Sequence, residues 1–193
     1  ALKLRDGDEL INVLRTSGED EVIIGTHLGY SVRFTGAVVR DMGRAAAGVK
    51  GVNLREGDYV VGTSRIDDSQ EVLVISENGL GKRTQASEYP TKGRGGKGMK
   101  VMNVTERTGK LAGLTAVNGD EDLMVITDTG VIIRTNVANI SQTGRAAQGV
   151  KVMRLDDEAQ IVTFALVDPV IEDEEVDAPE LTDETISTDN NEE

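Results

Sequence analysis

Short apolar runs recur along the chain at a fixed distance. Val22-Ile23-Ile24, Val72-Leu73-Val74-Ile75 and Leu123-Met124-Val125-Ile126 each follow an acidic residue and end in a turn. Runs this short, rich in β-branched residues, predict buried strands rather than helices. A glycine closes the turn in each case, at Gly29, Gly79 and Gly130, and Asn78-Gly79 is a hairpin signal by itself. In the first copy the returning segment alternates Tyr30, Val32 and Phe34 with Ser31, Arg33 and Thr35, which predicts a strand with one apolar and one polar face. Residues 6–13 (DGDELINV) and 56–63 (EGDYVVGT) add a further turn and strand to each unit. No helical period of any length is present.

Laid on one another, residues 21–34, 71–84 and 122–135 superpose their glycines and also Arg33, Arg83 and Arg134, with spacings of 50 and 51 residues. Residues 4–16 begin the first copy, and residues 155–167 match 54–66. About four short strands per 50 residues is the size of a propeller blade. The expected fold class is therefore all-β: a β-pinwheel or propeller-like repeat of four-stranded blades. Residues 1–167 are expected to hold three full repeats and part of a fourth, and residues 168–193 an acidic disordered tail.

A second motif keeps step with the first. Residues 42–52 (MGRAAAGVKGV), 92–102 (KGRGGKGMKVM) and 143–153 (TGRAAQGVKVM) each carry a Gly-Arg pair, a glycine four positions after the Arg, and a lysine two positions further on. The later glycines, Gly48, Gly98 and Gly149, read as conformational positions.

Charge changes this picture. The chain has 34 acids and 21 bases, but twelve of the acids and none of the bases fall in residues 168–193. Such a segment buries too little apolar surface to offset its ordering entropy. The low isoelectric point belongs to it, and the body is nearly neutral. Within the body, windows 33–50, 82–100 and 134–151 hold thirteen bases and two acids, whereas the remainder holds eight bases and twenty acids. Equivalent positions lie at equivalent places on successive blades, so the basic half-repeats predict a continuous band on one rim. An extended polyanion fits such a band, duplex DNA above all.

The candidate contacts are Arg33, Arg40, Arg44, Lys50, Lys82, Arg83, Lys92, Arg94, Lys97, Lys100, Arg134, Arg145 and Lys151. Gly93, Gly95, Gly96 and Gly98 would let the backbone approach a phosphate closely. Arg33, Arg83 and Arg134 fit equally well as ion-pair partners for the acidic half-repeat. With so few aromatic residues, base stacking is poorly supported. The reading is duplex-backbone binding with bending and little sequence preference.

Catalysis finds no foothold. There is no Cys and a single His, so no nucleophile, acid–base set or metal cluster can be assembled, and no catalytic residue, metal or cofactor is expected. His27, at a hairpin turn, is expected to be exposed, and Tyr30, Tyr59 and Tyr89 to be packing residues. The glycines of residues 93–98 lack the Gly-Lys-Ser/Thr ending and following helix of a phosphate loop. No run of about 18 apolar residues is present to form a spanning helix. The chain opens in mid-pattern at Ala1, which reads as a piece of something longer.

Residues 92–98 (KGRGGKG) resemble the seven-residue box of the C-terminal domain of bacterial DNA gyrase A, whose usual form is Gln-Arg-Arg-Gly-Gly-Lys-Gly. Residues 77–90 (ENGLGKRTQASEYP), 127–141 (TDTGVIIRTNVANIS) and 144–150 (GRAAQGV) are similar to the later repeats of that family. The resemblance covers residues 1–167, and the acidic tail fits it too. It implies a six-bladed pinwheel with outer strands exchanged between neighbours and a basic rim that wraps duplex DNA to support negative supercoiling. It also implies that this portion is not itself an enzyme, since the catalytic tyrosine and the ATPase lie elsewhere in an ATP-dependent type II topoisomerase. The implied partners are double-stranded DNA, gyrase B and a second gyrase A in an A2B2 heterotetramer, in the bacterial cytoplasm with no membrane. Two departures stand out. The motif begins Lys92-Gly93 in place of Gln-Arg, and it sits one repeat before the last complete one rather than in the first blade. Residues 92–98 are therefore read as a degenerate copy, with the true box upstream. The alternatives are the equivalent C-terminal domain of topoisomerase IV and a propeller used for protein interaction.

A tether with twelve acids beside a basic rim is expected to compete with DNA intramolecularly. Deleting residues 170–193 should tighten duplex binding, most visibly at low salt; equal or weaker binding in a mobility-shift titration would count against this competition.

Overall fold

The computed structural model describes residues 4–156 and 158–169. The three apolar runs become the first strands of three hairpins, as expected. β1 (Glu21–Thr26) pairs with β2 (Tyr30–Thr35), β4 (Glu71–Ser76) with β5 (Leu80–Gln85), and β8 (Asp122–Thr127) with β9 (Ile132–Asn136). The remaining strands are β3 (Val60–Ile66), β6 (Met99–Lys100), β7 (Leu111–Val117), β10 (Val150–Lys151) and β11 (Ile161–Val167). The hairpin turns are identical in form: the amides of Gly29, Gly79 and Gly130 donate to the carbonyls of Thr26, Ser76 and Thr127 at 3.0, 3.1 and 3.1 Å. Single 3-10 turns follow each returning strand, at Gly36–Val38, Ala86–Glu88 and Val137–Asn139.

Each sheet is assembled from two repeats. The strand orders are β3-β1-β2-β6, β10-β5-β4-β7 and β11-β8-β9. The inner neighbour of each hairpin (β3, β7 or β11) arrives about 39 residues after the strand it pairs with. The outer neighbour comes from the glycine-rich stretch of the following repeat. Ser31 pairs with Met99 and Tyr30 with Lys100; Gly81 pairs with Val150 and Leu80 with Lys151. Gly98 and Gly149 permit this exchange. Both have φ near +80°, and a Cβ would stand 2.6 Å from the Ser31 carbonyl oxygen and 2.4 Å from that of Gly81. The third sheet has three strands among the described residues.

The hydrophobic core lies between blades. All six residues of β4 are buried, and their alternation divides them. Val72 and Val74 pack toward the first blade with Ile23, Tyr89, Val101 and Leu114. Leu73 and Ile75 pack toward the third with Leu123, Val125, Val137 and Ile161. β4 is therefore covered on both faces, and it reads as a continuous apolar run rather than an alternating one.

Three expectations need correction. Residues 6–13 form no strand, and Leu10, Ile11 and Val13 are 60, 52 and 78% exposed. Their counterparts pair with a hairpin strand about 39 residues upstream, a position this chain does not contain; only Asn12 reaches a sheet, donating to the Thr63 carbonyl at 3.0 Å. Nor does β2 have a polar solvent face: Ser31 and Arg33 are buried together with Val32 and Phe34. His27 is buried at the seam between blades rather than exposed. The acidic tail expected from residue 168 onward lies outside the described residues beyond Pro169.

Gly149→Ala and Gly130→Ala separate the cost of exchange from that of backbone strain alone. Both glycines have φ near +82°, but Gly130 has nothing within 4 Å of a prospective Cβ. Gly130→Ala is expected to cost about 1–2 kcal/mol and Gly149→Ala distinctly more, read from paired denaturant melts; equal losses would refute the packing account.

Candidate nucleic-acid interface

The arginines of the three returning strands are struts. Nε of Arg33 donates to Glu21 at 2.8 Å, and its Nη2 makes a close contact with the same carboxylate oxygen. Its Nη1 donates to the carbonyls of Ala86 and Tyr89 at 2.8 and 3.2 Å and meets Asp68 at 2.9 Å. Arg83 repeats this with Glu71 at 2.6 Å and the carbonyls of Ile140 and Ala138 at 2.7 and 3.2 Å. Arg134 reaches Asp122 at 2.8 Å and the Asp168 carbonyl at 2.7 Å. The acid that opens each hairpin thus neutralises the arginine that returns along it. For Arg33 and Arg83, the remaining guanidinium protons hold the 3-10 turn region of the next repeat. Removing a charged group from water requires this degree of compensation. All three make the ion pairs that the second of their two expected roles requires; Arg33 is buried and Arg83 half-buried, whereas Arg134 stays exposed.

The glycine-rich stretches, by contrast, touch one another in series. Gly95 donates to the Gly51 carbonyl at 2.6 Å, and Asn53 to that of Gly96 at 2.8 Å. The Arg94 guanidinium donates to the carbonyls of Val38 and Lys50 at 3.1 and 3.3 Å. Arg145 does the same one repeat later, to the Lys100 carbonyl at 2.8 Å. The arginines of the second and third Gly-Arg pairs are therefore stapled to the lysine backbone of the preceding copy. Arg94 remains exposed, whereas Arg145 is half-buried. Arg40, Arg44, Lys50, Lys92, Lys97, Lys100 and Lys151 are exposed and make no ion pair among the described residues. Gly93, Gly96 and Gly98 are exposed and Gly95 half-exposed, so the box-like backbone faces solvent.

Lys82 departs most from its expected place. It is fully buried, and its ammonium donates to the carbonyls of Gly144 and Arg145 at 2.7 and 2.5 Å, beneath the third glycine-rich stretch. On the other side of that stretch the Glu88 carboxylate accepts the Arg145 amide at 2.9 Å. Burial brings the Lys82 pKa down to about 8, with Glu88 opposing the fall and Arg145 adding to it.

Two aromatic contacts close the seam between the first blades. His27 stacks on Tyr59 with centroids 4.3 Å apart, and its Nδ1 bonds the Leu111 carbonyl at 2.9 Å. Its Nε2 lies 3.6 Å from Glu77. Tyr30 packs under the Arg55 guanidinium, 3.3 Å from its centroid, while Tyr89 is fully buried in the core. Tyr89 and the half-buried Tyr30 are packing residues as expected, whereas Tyr59, although stacked on His27, is 53% exposed. A lone histidine in a turn carried no signal of this burial, because its partners Tyr59, Glu77 and Leu111 all come from the next repeat or beyond, Leu111 being 84 residues away.

The family model described as "DNA gyrase C-terminal domain, beta-propeller" matches residues 1–17, 20–67, 70–118 and 121–168, one segment per repeat. The chain belongs to this gyrase C-terminal domain family. It is 73% identical over 169 residues to the DNA gyrase A protein of Streptococcus pyogenes serotype M3, covering 88% of this chain and 20% of that protein. Identity with DNA gyrase A from Streptococcus pneumoniae serotype 4 is 68% over 176 residues, covering 91 and 21%. With that of Halalkalibacterium halodurans it is 61% over 184 residues, covering 95 and 22%. The chain thus spans about a fifth of the length of these curated relatives.

Among solved structures, the C-terminal domain of DNA topoisomerase IV superposes with a TM-score of 0.82 at 25% identity, over 86% of this chain and 52% of that one. A DNA gyrase A C-terminal domain gives 0.71 at 28% identity, over 77 and 50%. The strand exchange derived above is accordingly set in an all-β gyrase-type propeller repeat.

Within this gyrase repeat, Lys82 makes a measurable claim. Its folded ammonium titrates near 8 and an unfolded one at 10.5. Between those values the unfolded chain holds more protons, so stability rises as pH climbs through the window. Below about pH 8 both states are protonated and the full desolvation penalty stands. Tyr89, pushed up by burial to about 12 from 10.0, acts oppositely above pH 10. Denaturant melts between pH ~8 and ~10 should therefore show a gain of at most about 3 kcal/mol that Lys82→Met abolishes. An unchanged slope in that variant would refute the assignment.

Proposed function

We propose that this chain is a non-catalytic, duplex-DNA-binding part of a gyrase A C-terminal domain, and that it lays the DNA backbone along the glycine-rich band and bends it. The observation that carries this reading is the contiguity of the three glycine-rich stretches, stapled by Arg94 and Arg145, with exposed lysines and arginines along them. Arg40, Arg44, Lys50, Lys92, Lys97, Lys100 and Lys151 are the proposed phosphate contacts, and Arg94 and Arg145 position the band while lending it charge. Arg33, Lys82, Arg83 and Arg134 are assigned to the scaffold, because each is held by internal acceptors.

Two features favour backbone recognition over base reading. The cations recur at the repeat spacing, which suits the even charge of a duplex. Aromatic residues make up only 3% of the chain, and Tyr89 and Phe34 are buried, which leaves little for base stacking. In the longer protein, the partners we infer are gyrase B and a second gyrase A, within an ATP-dependent type II topoisomerase of the bacterial cytoplasm. Support for that assembly is the identity with the streptococcal and Halalkalibacterium gyrase A proteins.

The test is duplex affinity across a salt series. Log affinity is expected to fall linearly with log salt, and replacing Lys50, Lys97, Lys100 and Lys151 together by Ala should flatten the slope by about three to four. Affinity at low salt should drop at least about tenfold with the melting curve unchanged. Absence of binding at low salt, or an unaltered slope in the folded quadruple variant, would overturn the reading.

A further inference from the structure

The glycine-rich stretches occupy equivalent places in their repeats but differ in how their loop amides are satisfied. In the third stretch the Arg145 amide is occupied by an anion already present in the chain, the Glu88 carboxylate at 2.9 Å. One repeat earlier, the equivalent amide is that of Arg94, and the residue equivalent to Glu88 is Val38. The Arg94 amide has no hydrogen-bond partner among the described residues, and Val38 is 42% exposed. The equivalent place therefore holds a carboxylate in one copy and none in the other, although the loops diverge at the next residue, where Gly95 has φ +77° and Ala146 has no positive φ.

The surroundings agree with this difference. The open copy carries Lys92 and Lys97 where the filled copy carries Thr143 and Gln148. Lys92 and Lys97 line a cavity of about 190 Å³ with Ser31, Val32 and Gly93. Ser31 is fully buried there, and its hydroxyl has no partner. In the second blade the position of Val32 is taken by Lys82, which ties down the loop carbonyls. The filled loop is thus held from both sides by Lys82 and Glu88, whereas at both equivalent positions of the open loop there is valine.

We propose that the Arg94 amide, with Lys92 and Lys97 in the same loop, is an open seat for a phosphate oxyanion, and that Glu88 is a built-in competitor for the equivalent seat at Arg145. Resting on the rim reading above, the phosphate is one from a duplex backbone. The geometry makes Glu88 a selector: it decides which glycine-rich stretch accepts phosphate through its backbone and which contributes side-chain charge alone. Backbone amides suit this role because they read phosphate without reading sequence.

The experiment is a titration of the full chain with inorganic phosphate, followed by the amide chemical shifts of Arg94 and Arg145. The unaltered protein is expected to show a saturable shift at Arg94 and none at Arg145. Glu88→Ala should make both respond, with Glu88→Gln, which keeps the side-chain size but not its charge, as a second variant if the first melts early. Val38→Glu should reduce the Arg94 response at least about threefold. A response of equal size at both amides of the unaltered chain, or silence at both in every variant, overturns the proposal. The duplex salt series is read separately: duplex binding with silent amides retains the rim and rejects the seat, whereas phosphate binding at Arg94 without duplex binding retains the seat and rejects the rim.

Discussion

The exchange of one short strand between neighbouring blades is the constraint on which the rest depends. β6 and β10 are two residues long, and in isolation such a strand contributes nothing. Each holds because its flanks are bonded too. Lys92 donates to the Arg33 carbonyl and Val101 to that of Gly29, and Thr143 and Val152 repeat this with Arg83 and Gly79. No blade is complete without the next repeat, so the units stabilise one another rather than folding as separate modules. The glycine-rich stretch is brought to the outer edge of each sheet by the same bonds, and this is why its lysines are available to solvent at all.

The charge follows from that arrangement. Bases near a hairpin, such as Arg33 and Arg83, enter the space between repeats, where a guanidinium must meet a carboxylate and carbonyls to be tolerated. Bases further along, in the stretch that crosses to the neighbour, stay on the surface. The segregation of charge along the sequence therefore mixes two populations with opposite fates. One population cancels the acids that open each hairpin. The other makes no ion pair among the described residues, and the windows the two populations share hold thirteen bases against two acids.

Local features were legible from sequence because they have local causes. The hairpins, their glycine turns and the repeat spacing rest on period and turn chemistry within a dozen residues. The partition of β4 between two cores follows from strand alternation once both sides are known to be covered. What sequence reasoning missed is nonlocal. His27 is buried by Leu111 and Tyr59, Lys82 by a loop 62 residues away, and Arg33 by a 3-10 turn 53 residues away. Residues 6–13 have the composition of a strand, but a strand needs a neighbour, and no described strand pairs with them. A lysine in a basic window carries no mark that distinguishes a buried donor from a solvated one; only the carbonyls it finds decide.

Near-identity of the repeats hides a gradient across them. At the positions of Lys82 and Glu88 the first repeat has Val32 and Val38 and the third has Ile133 and Asn139, so among the described residues the middle blade alone sets a lysine and a carboxylate against the glycine-rich loop laid over it. At the positions of Lys92 and Lys97 the last loop has Thr143 and Gln148. The consequence is a band whose middle copy is cationic with the Arg94 amide open and whose last copy is less charged with the Arg145 amide already satisfied. A polyanion lying along this surface meets unequal grips at equal intervals. Sequence drift at a few exchange-edge positions can therefore retune the path of a bound backbone while the exchanged strands, and with them the fold, remain as they are.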